Sequence, residues 1–153
     1  MRDRLYLLDT NVLLALIRGQ DLGQSIDRTF NLSTSPSRPL VSIVSYGEIR
    51  VLARRNNWGR EKTESLENML HNVVPVYLSL LGVINAYVEI DLASQSHPSG
   101  AINMEKNDLW IAACAKAAGA FLLTTDKDFE HLLDNTVQGT VIDPMTHLSG
   151  PQT

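Results

Sequence analysis

Four carboxylates stand out by where they fall. Asp9 directly follows the apolar run 5–8, and Asp126 directly follows the run 120–125, with Asp128 two residues on. Glu48 lies in the first turn of the helix expected after residues 40–44, and Asp108 in the first turn of the helix expected at 107–118. Carboxylates sharing one pocket repel each other, so either some stay protonated or a cation accompanies them. Ligation by oxygen alone, without His or Cys, suits Mg²⁺ or Mn²⁺. An ion held in that way lowers the pKa of a water and draws charge from phosphoryl oxygens, which is what phosphodiester hydrolysis needs.

Each acid also has an ordinary structural explanation. Asp9 or Thr10 is a suitable cap for the helix that follows. A helix dipole favours Asp108 in a first turn whatever the function. Ser45-Tyr46-Gly47-Glu48 matches the Ser-x-x-Glu capping box, which would employ Glu48 fully. Asp126 and Asp128 suit a turn before a short helix at 127–134. Any one of these accounts is sufficient for its own residue. Their coincidence at the carboxyl ends of strands favours a shared site.

The elements that must position these acids follow from the apolar pattern. Strands are expected at 5–8, 40–44, 73–77, 120–125 and 140–142, the third pushed toward a sheet edge by Pro75. Helices are expected at 11–18, ending at Gly19, at 24–32, 45–56, 60–72 and 80–93, and at 107–118, an alanine-rich stretch that should be buried. Strands alternating with helices imply parallel pairing, and such sheets bind ligands outside the carboxyl ends of their strands. The turn-rich segments 33–39 and 94–100 read as loops, because neither divides the chain into halves able to hold a core. The 153 residues are therefore expected to form one α/β unit, able to bury roughly 70% of its unfolded surface.

Composition removes several function classes. With 13 Lys+Arg against 17 Asp+Glu, the net charge of −4 disfavours a protein held to DNA by a broad basic surface. Setting the four site acids aside leaves acids and bases equal, a surface no longer hostile to RNA. The single cysteine, Cys114, forms no internal disulfide and reads as a small buried hydrophobe. His71, His97, His131 and His147 lack the spacing of a zinc site, although His97 falls in a loop near the expected active edge. The longest apolar stretch, 12–17, is too short to cross a bilayer, and the amino-terminal residues do not read as a signal peptide. A cytoplasmic protein with no membrane association is expected. Arg54 and Arg55 fit a helix C-terminus, while Arg50 is a candidate phosphate contact. Trp58 and Trp110 read as core or interface.

Four stretches together carry a resemblance. Leu7-Leu8-Asp9-Thr10-Asn11-Val12-Leu13-Leu14 is similar to the opening motif of PIN-domain ribonucleases, and 42–48 followed by Ile49 to their second. Asn107-Asp108-Leu109-Trp110-Ile111-Ala112-Ala113 and Leu123-Thr124-Thr125-Asp126-Lys127-Asp128-Phe129 resemble the third and fourth. Order, spacing and length resemble the VapC toxins of prokaryotic toxin–antitoxin pairs over residues 5–143. The resemblance implies a PIN-like three-layer α/β/α fold over residues 1–153, with a central, mainly parallel sheet of four to five strands. It implies a metal-dependent endoribonuclease in which Asp9, Glu48, Asp108 and Asp126 surround one or two Mg²⁺ or Mn²⁺ ions, Asp9 and Asp108 most directly. Thr10 and Thr125 match polar positions that orient water or phosphate, and Asp128 matches a position of variable role. RNA substrate, a cognate antitoxin and a homodimer are the implied partners, with the apolar helices at 66–70 and 80–87 as candidate surfaces. The stretch 94–106 looks longer than in compact members. Two rivals remain: a catalytically silent PIN-like binding or assembly module, and a phosphoacceptor signalling domain. The latter fits poorly, because Asp3 precedes the first strand and Lys127 follows Asp126 instead of ending a later strand.

Overall fold

The structure is a computed structural model that describes residues 4–133 and 135–148, with backbone only at 147 and 148. Asp3, Asp134 and the side chain of His147 lie outside the described residues. The chain runs β1 (Tyr6–Leu8), α1 (Thr10–Arg18), α2 (Asp21–Phe30), β2 (Leu40–Ser42), α3 (Ile43–Arg55), α4 (Arg60–Asn72) and β3 (Val74–Val76). It continues through α5 (Val83–Gln95), α6 (Lys106–Ala117), β4 (Phe121–Thr124), a 3₁₀ helix (Lys127–Leu132), β5 (Gly139–Val141) and α7 (Pro144–Leu148).

The five strands lie in the order β3-β2-β1-β4-β5, and every pairing is parallel. Strand side chains alternate between the two faces, and this divides the core. Leu7, Leu40 and Leu122 point into a cluster with α5, α6 and the 3₁₀ helix, whereas Leu8, Val41 and Leu123 meet α1 to α4. The result is the expected three-layer α/β/α fold. Ala112, Ala113 and Ala115 of α6 are fully buried, and small side chains bring that helix close to the sheet. Gly23 does the same for α2, since a Cβ there would collide with the Ala15 carbonyl of α1. Pro75 lies in the edge strand β3, where its missing N–H costs least.

Two boundaries differ in ways that matter. Helix α3 begins at Ile43, because the Ser42 hydroxyl accepts from the Val44 N–H at 3.2 Å and caps it. Ser45 is thus inside the helix and the expected capping box at Ser45 and Glu48 does not form. Helix α5 begins at Val83 instead of residue 80, after turns held by Leu80 N–H to Tyr77 C=O and Val83 N–H to Leu80 C=O. It runs to Gln95, so Ser94 belongs to its last turn and not to a loop.

Candidate active site

The carboxyl edge of the sheet collects the acids. Strands β1 and β4 are adjacent, with Leu8 opposite Leu123, so the residues that follow them emerge side by side. Asp9, only 4% exposed, caps α1: its Oδ1 accepts from the Thr10 N–H at 2.7 Å. Its Oδ2 accepts from the Thr124 hydroxyl, also at 2.7 Å. Capping and membership of the acid cluster are therefore compatible uses of one residue.

Thr124 does more. Its Oγ1 accepts from the Asp126 N–H at 3.0 Å, and Asp126 Oδ1 in turn accepts from the Asp128 N–H at 2.9 Å. One buried threonine thereby connects the first acid to the turn that presents the other two. On the opposite side, Thr10 Oγ1 lies 2.8 Å from both Glu48 Oε1 and Ser45 Oγ. A hydroxyl has one proton and an ionised carboxylate only accepts, so Ser45 donates to Thr10 and Thr10 donates to Glu48. Glu48 is oriented by α1 across the gap.

Asp108, Asp126 and Asp128 each bring a carboxylate oxygen within 4.8 Å of the others. Electrostatics link this trio to Asp9 and Glu48. Burial pushes Asp9 up to about 6, against the stabilising hydrogen bonds from Thr124 and Thr10, and the charges of Glu48 and Asp126 add to the rise. Asp108 is pushed up to about 7, first by burial and then by the charges of Asp9, Asp126, Glu105 and Glu48. The four acids singled out by sequence, with Thr10 and Asp128, are thus gathered at one place. Thr125 is half-buried and makes no side-chain hydrogen bond among the described residues.

Sequence reasoning missed Thr124, Ser45 and Glu105. The only signal for Thr124 is strand parity: its side chain meets Asp9 because the two strands pair in parallel, a register invisible in one sequence. Cys114 is buried, as expected, with its thiol 3.4 Å from the Ser42 hydroxyl. Trp58 and Trp110 are half-buried, the former under Lys62 and the latter against Tyr87.

The donor set suits a hard divalent ion. Each of the three close ligand atoms is a carboxylate oxygen, the type that Mg²⁺ and Mn²⁺ select. Asp9 and Asp108 are raised first by burial and then by the charges of neighbouring acids, a cost to their charged forms that a bound cation would relieve.

The family model for the PIN domain matches residues 6–133. Among solved structures, the fold is similar to VapBC2 from Rickettsia felis bound to a DNA fragment from its promoter, at TM-score 0.73 and 18% identity, covering 91% of this chain and 99% of that one. It is also similar to VapBC-1 from nontypeable Haemophilus influenzae, at TM-score 0.63 and 22% identity, covering 90% and 97%. FitAcB from Neisseria gonorrhoeae matches at TM-score 0.64 and 20% identity, covering 92% and 99%. No curated protein sequence matches significantly.

Proposed function

The chain belongs to the PIN-domain family, and from that premise we propose that it is a Mg²⁺- or Mn²⁺-dependent endoribonuclease, the toxin of a type II toxin–antitoxin pair. The observation that carries the reading is the convergence of Asp9, Glu48, Asp108, Asp126 and Asp128 on one sheet edge, two of them with pKa values raised by burial and mutual repulsion. Asp108, Asp126 and Asp128 would hold the ion, with Asp9 and Glu48 beside them. The chemistry supplied by such an ion when bound is a more acidic water and neutralised phosphoryl oxygens. The protein's part is orientation. Thr10 and Thr124 fix the carboxylates of Glu48 and Asp9, and Glu48 or Asp126 orients the attacking water and takes its proton. In the family's usual outcome the products carry a 3′-hydroxyl and a 5′-phosphate.

An antitoxin partner is supported by the neighbours, which include a member of the VapBC family of toxin–antitoxin systems from Mycobacterium tuberculosis and a toxin–antitoxin complex from Klebsiella pneumoniae. A homodimer is supported by α5. Ile84, Val88 and Leu92 recur every four residues on its exposed side, and Leu81 just before it is 93% exposed. The other surface suggested by sequence is not available, because Leu66 and Leu70 are turned into the core. No described helix is long and apolar enough to cross a membrane, and a cytoplasmic location is part of this reading.

The decisive experiment is incubation of the purified protein with labelled RNA in Mg²⁺, Mn²⁺ or EDTA. Endonucleolytic cleavage that needs the metal is expected. Cleavage surviving in EDTA removes the metal mechanism, and no cleavage of any RNA returns the chain to a binding or assembly module.

A further inference from the structure

The three close carboxylates stand on two supports: Asp108 on α6, and Asp126 and Asp128 at the head of the 3₁₀ helix. Phe129 and Leu132 seat the underside of that 3₁₀ helix in the core, and its head is tied to β4 through Thr124. A polar bracket ties its far turn to α5. His131 Nε2 lies 2.8 Å from the hydroxyl of Ser94, a residue 1% exposed in the last turn of α5. A hydroxyl so deeply buried needs a partner, and His131 supplies it.

Ser94 also holds the other support. Its carbonyl accepts from the Ile102 N–H at 2.8 Å, and its hydroxyl lies 3.4 Å from Met104 Sδ, in the segment that feeds α6 and Asp108. His97 packs edge-to-face on His131 with ring centroids 5.8 Å apart, and its Nδ1 lies 2.7 Å from the Ser99 hydroxyl. The stretch 94–105 thus wraps the bracket.

We propose that His131 is a positioning residue: by joining Ser94 of α5 to the 3₁₀ helix headed by Asp126 and Asp128, it fixes the spacing between Asp108 on one support and those two acids on the other. The inference rests on the metal-dependent reading above. Groups that orient metal ligands from behind change metal affinity or activity by about 10- to 100-fold when removed.

The test is a Mn²⁺ titration of the full chain by calorimetry, with melts in EDTA alongside, for wild type, His131→Ala, His131→Gln, Ser94→Ala and the Ser94→Ala/His131→Ala pair. Both single alanine variants should bind Mn²⁺ about 10- to 100-fold more weakly than wild type, and RNA cleavage should lose kcat more than KM. The pair should be no worse than the worse single variant, because both remove one link. His131→Gln, whose amide still reaches toward Ser94, should recover part of the affinity. Should His131→Ala not fold, Ser94→Ala removes a single oxygen and carries the test alone. Wild-type Mn²⁺ affinity in the alanine variants, with melting lowered in EDTA, overturns the proposal and makes the bracket a fold element only. Wild type that binds no Mn²⁺ overturns the metal-dependent reading and this inference with it.

Discussion

The Thr124 hydroxyl donates to Asp9 Oδ2 across the β1–β4 pairing, and both residues are shut away from water. Because Asp9 Oδ1 is held by the Thr10 N–H, neither oxygen of this carboxylate is free to turn. Its plane is set before a cation arrives. The same Thr124 oxygen accepts from the Asp126 backbone, so two acids from separate strand ends share one fixed point.

Thr124→Val keeps the shape and removes that point. A buried acceptor left without its donor costs about 1–3 kcal/mol. The loss should be larger at pH 8, where Asp9 is charged, than at pH 5, and thermal melts in EDTA at the two pH values will measure it. Equal loss at both would mean that the threonine serves packing and not the carboxylate.

The pH profile of the metal-free protein should run against the usual carboxylate trend. Asp9 and Asp108 have folded pKa values of about 6 and about 7, above the ordinary value of 3.8. The folded state therefore holds protons that the unfolded state has released, and stability falls as pH rises from about 4 to about 7. For Asp9 alone the rise is worth on the order of 3 kcal/mol. Asp108 is half-buried and contributes in the same direction, diminished by solvent screening. Melting temperature in EDTA should drop across this window. Saturating Mg²⁺ should flatten the drop, and parallel curves with and without Mg²⁺ would remove the ion from the acid cluster.

Much of this site is legible in one sequence because a parallel sheet puts every strand's carboxyl end on one edge. Locating an acid after each apolar run is then enough to place Asp9 and Asp126, and a first helical turn is enough for Asp108, whereas Glu48 falls in the second turn of α3 because that helix starts at Ile43 and not at residue 45. What is illegible depends on register and on exact helix starts. Thr124 and Thr125 look alike in sequence, and only the pairing of Leu8 with Leu123 decides which one faces Asp9. Ser42 and Ser45 are both plausible caps. The competition goes to Ser42 because β2 passes into α3 without a loop. Ser94 is unreadable for a similar reason: its burial follows from α5 running two residues past the expected end.

Asp9→Asn separates capping from chemistry. Asn is as good an N-cap as Asp, so the bond from the Thr10 N–H survives while the charge is lost. Asp108→Asn has no cap to preserve and relieves repulsion in the acid cluster. Both variants should stay folded, with Asp108→Asn more stable than wild type in EDTA at pH 8. Each should lose RNA cleavage by at least about a thousandfold, since a metal centre supplies several kcal/mol of transition-state stabilisation. A gel assay at saturating Mg²⁺ checks the rates, and wild-type cleavage in either variant would dismiss that acid from the machinery.

Glu48→Gln isolates charge from geometry more cleanly than any other change here. Ser42 caps α3, so Glu48 has no capping duty, and its hydrogen-bond partner is Thr10 at 2.8 Å. A glutamine carbonyl accepts the same hydrogen bond, leaving the chain Ser45 to Thr10 to residue 48 intact. What changes is one negative charge near Asp9 and Asp108, both of which feel Glu48. The metal-free variant should melt slightly higher than wild type at pH 8, as like-charge repulsion falls. Its stabilisation by Mg²⁺ should shrink, because that gain reflects affinity for the folded state, about 2.7 kcal/mol at a hundredfold excess over Kd. Cleavage should fall with it. Paired melts with and without Mg²⁺, beside the RNA assay, read all three effects. An unchanged Mg²⁺ response with unchanged cleavage would reduce Glu48 to a strut between α1 and α3.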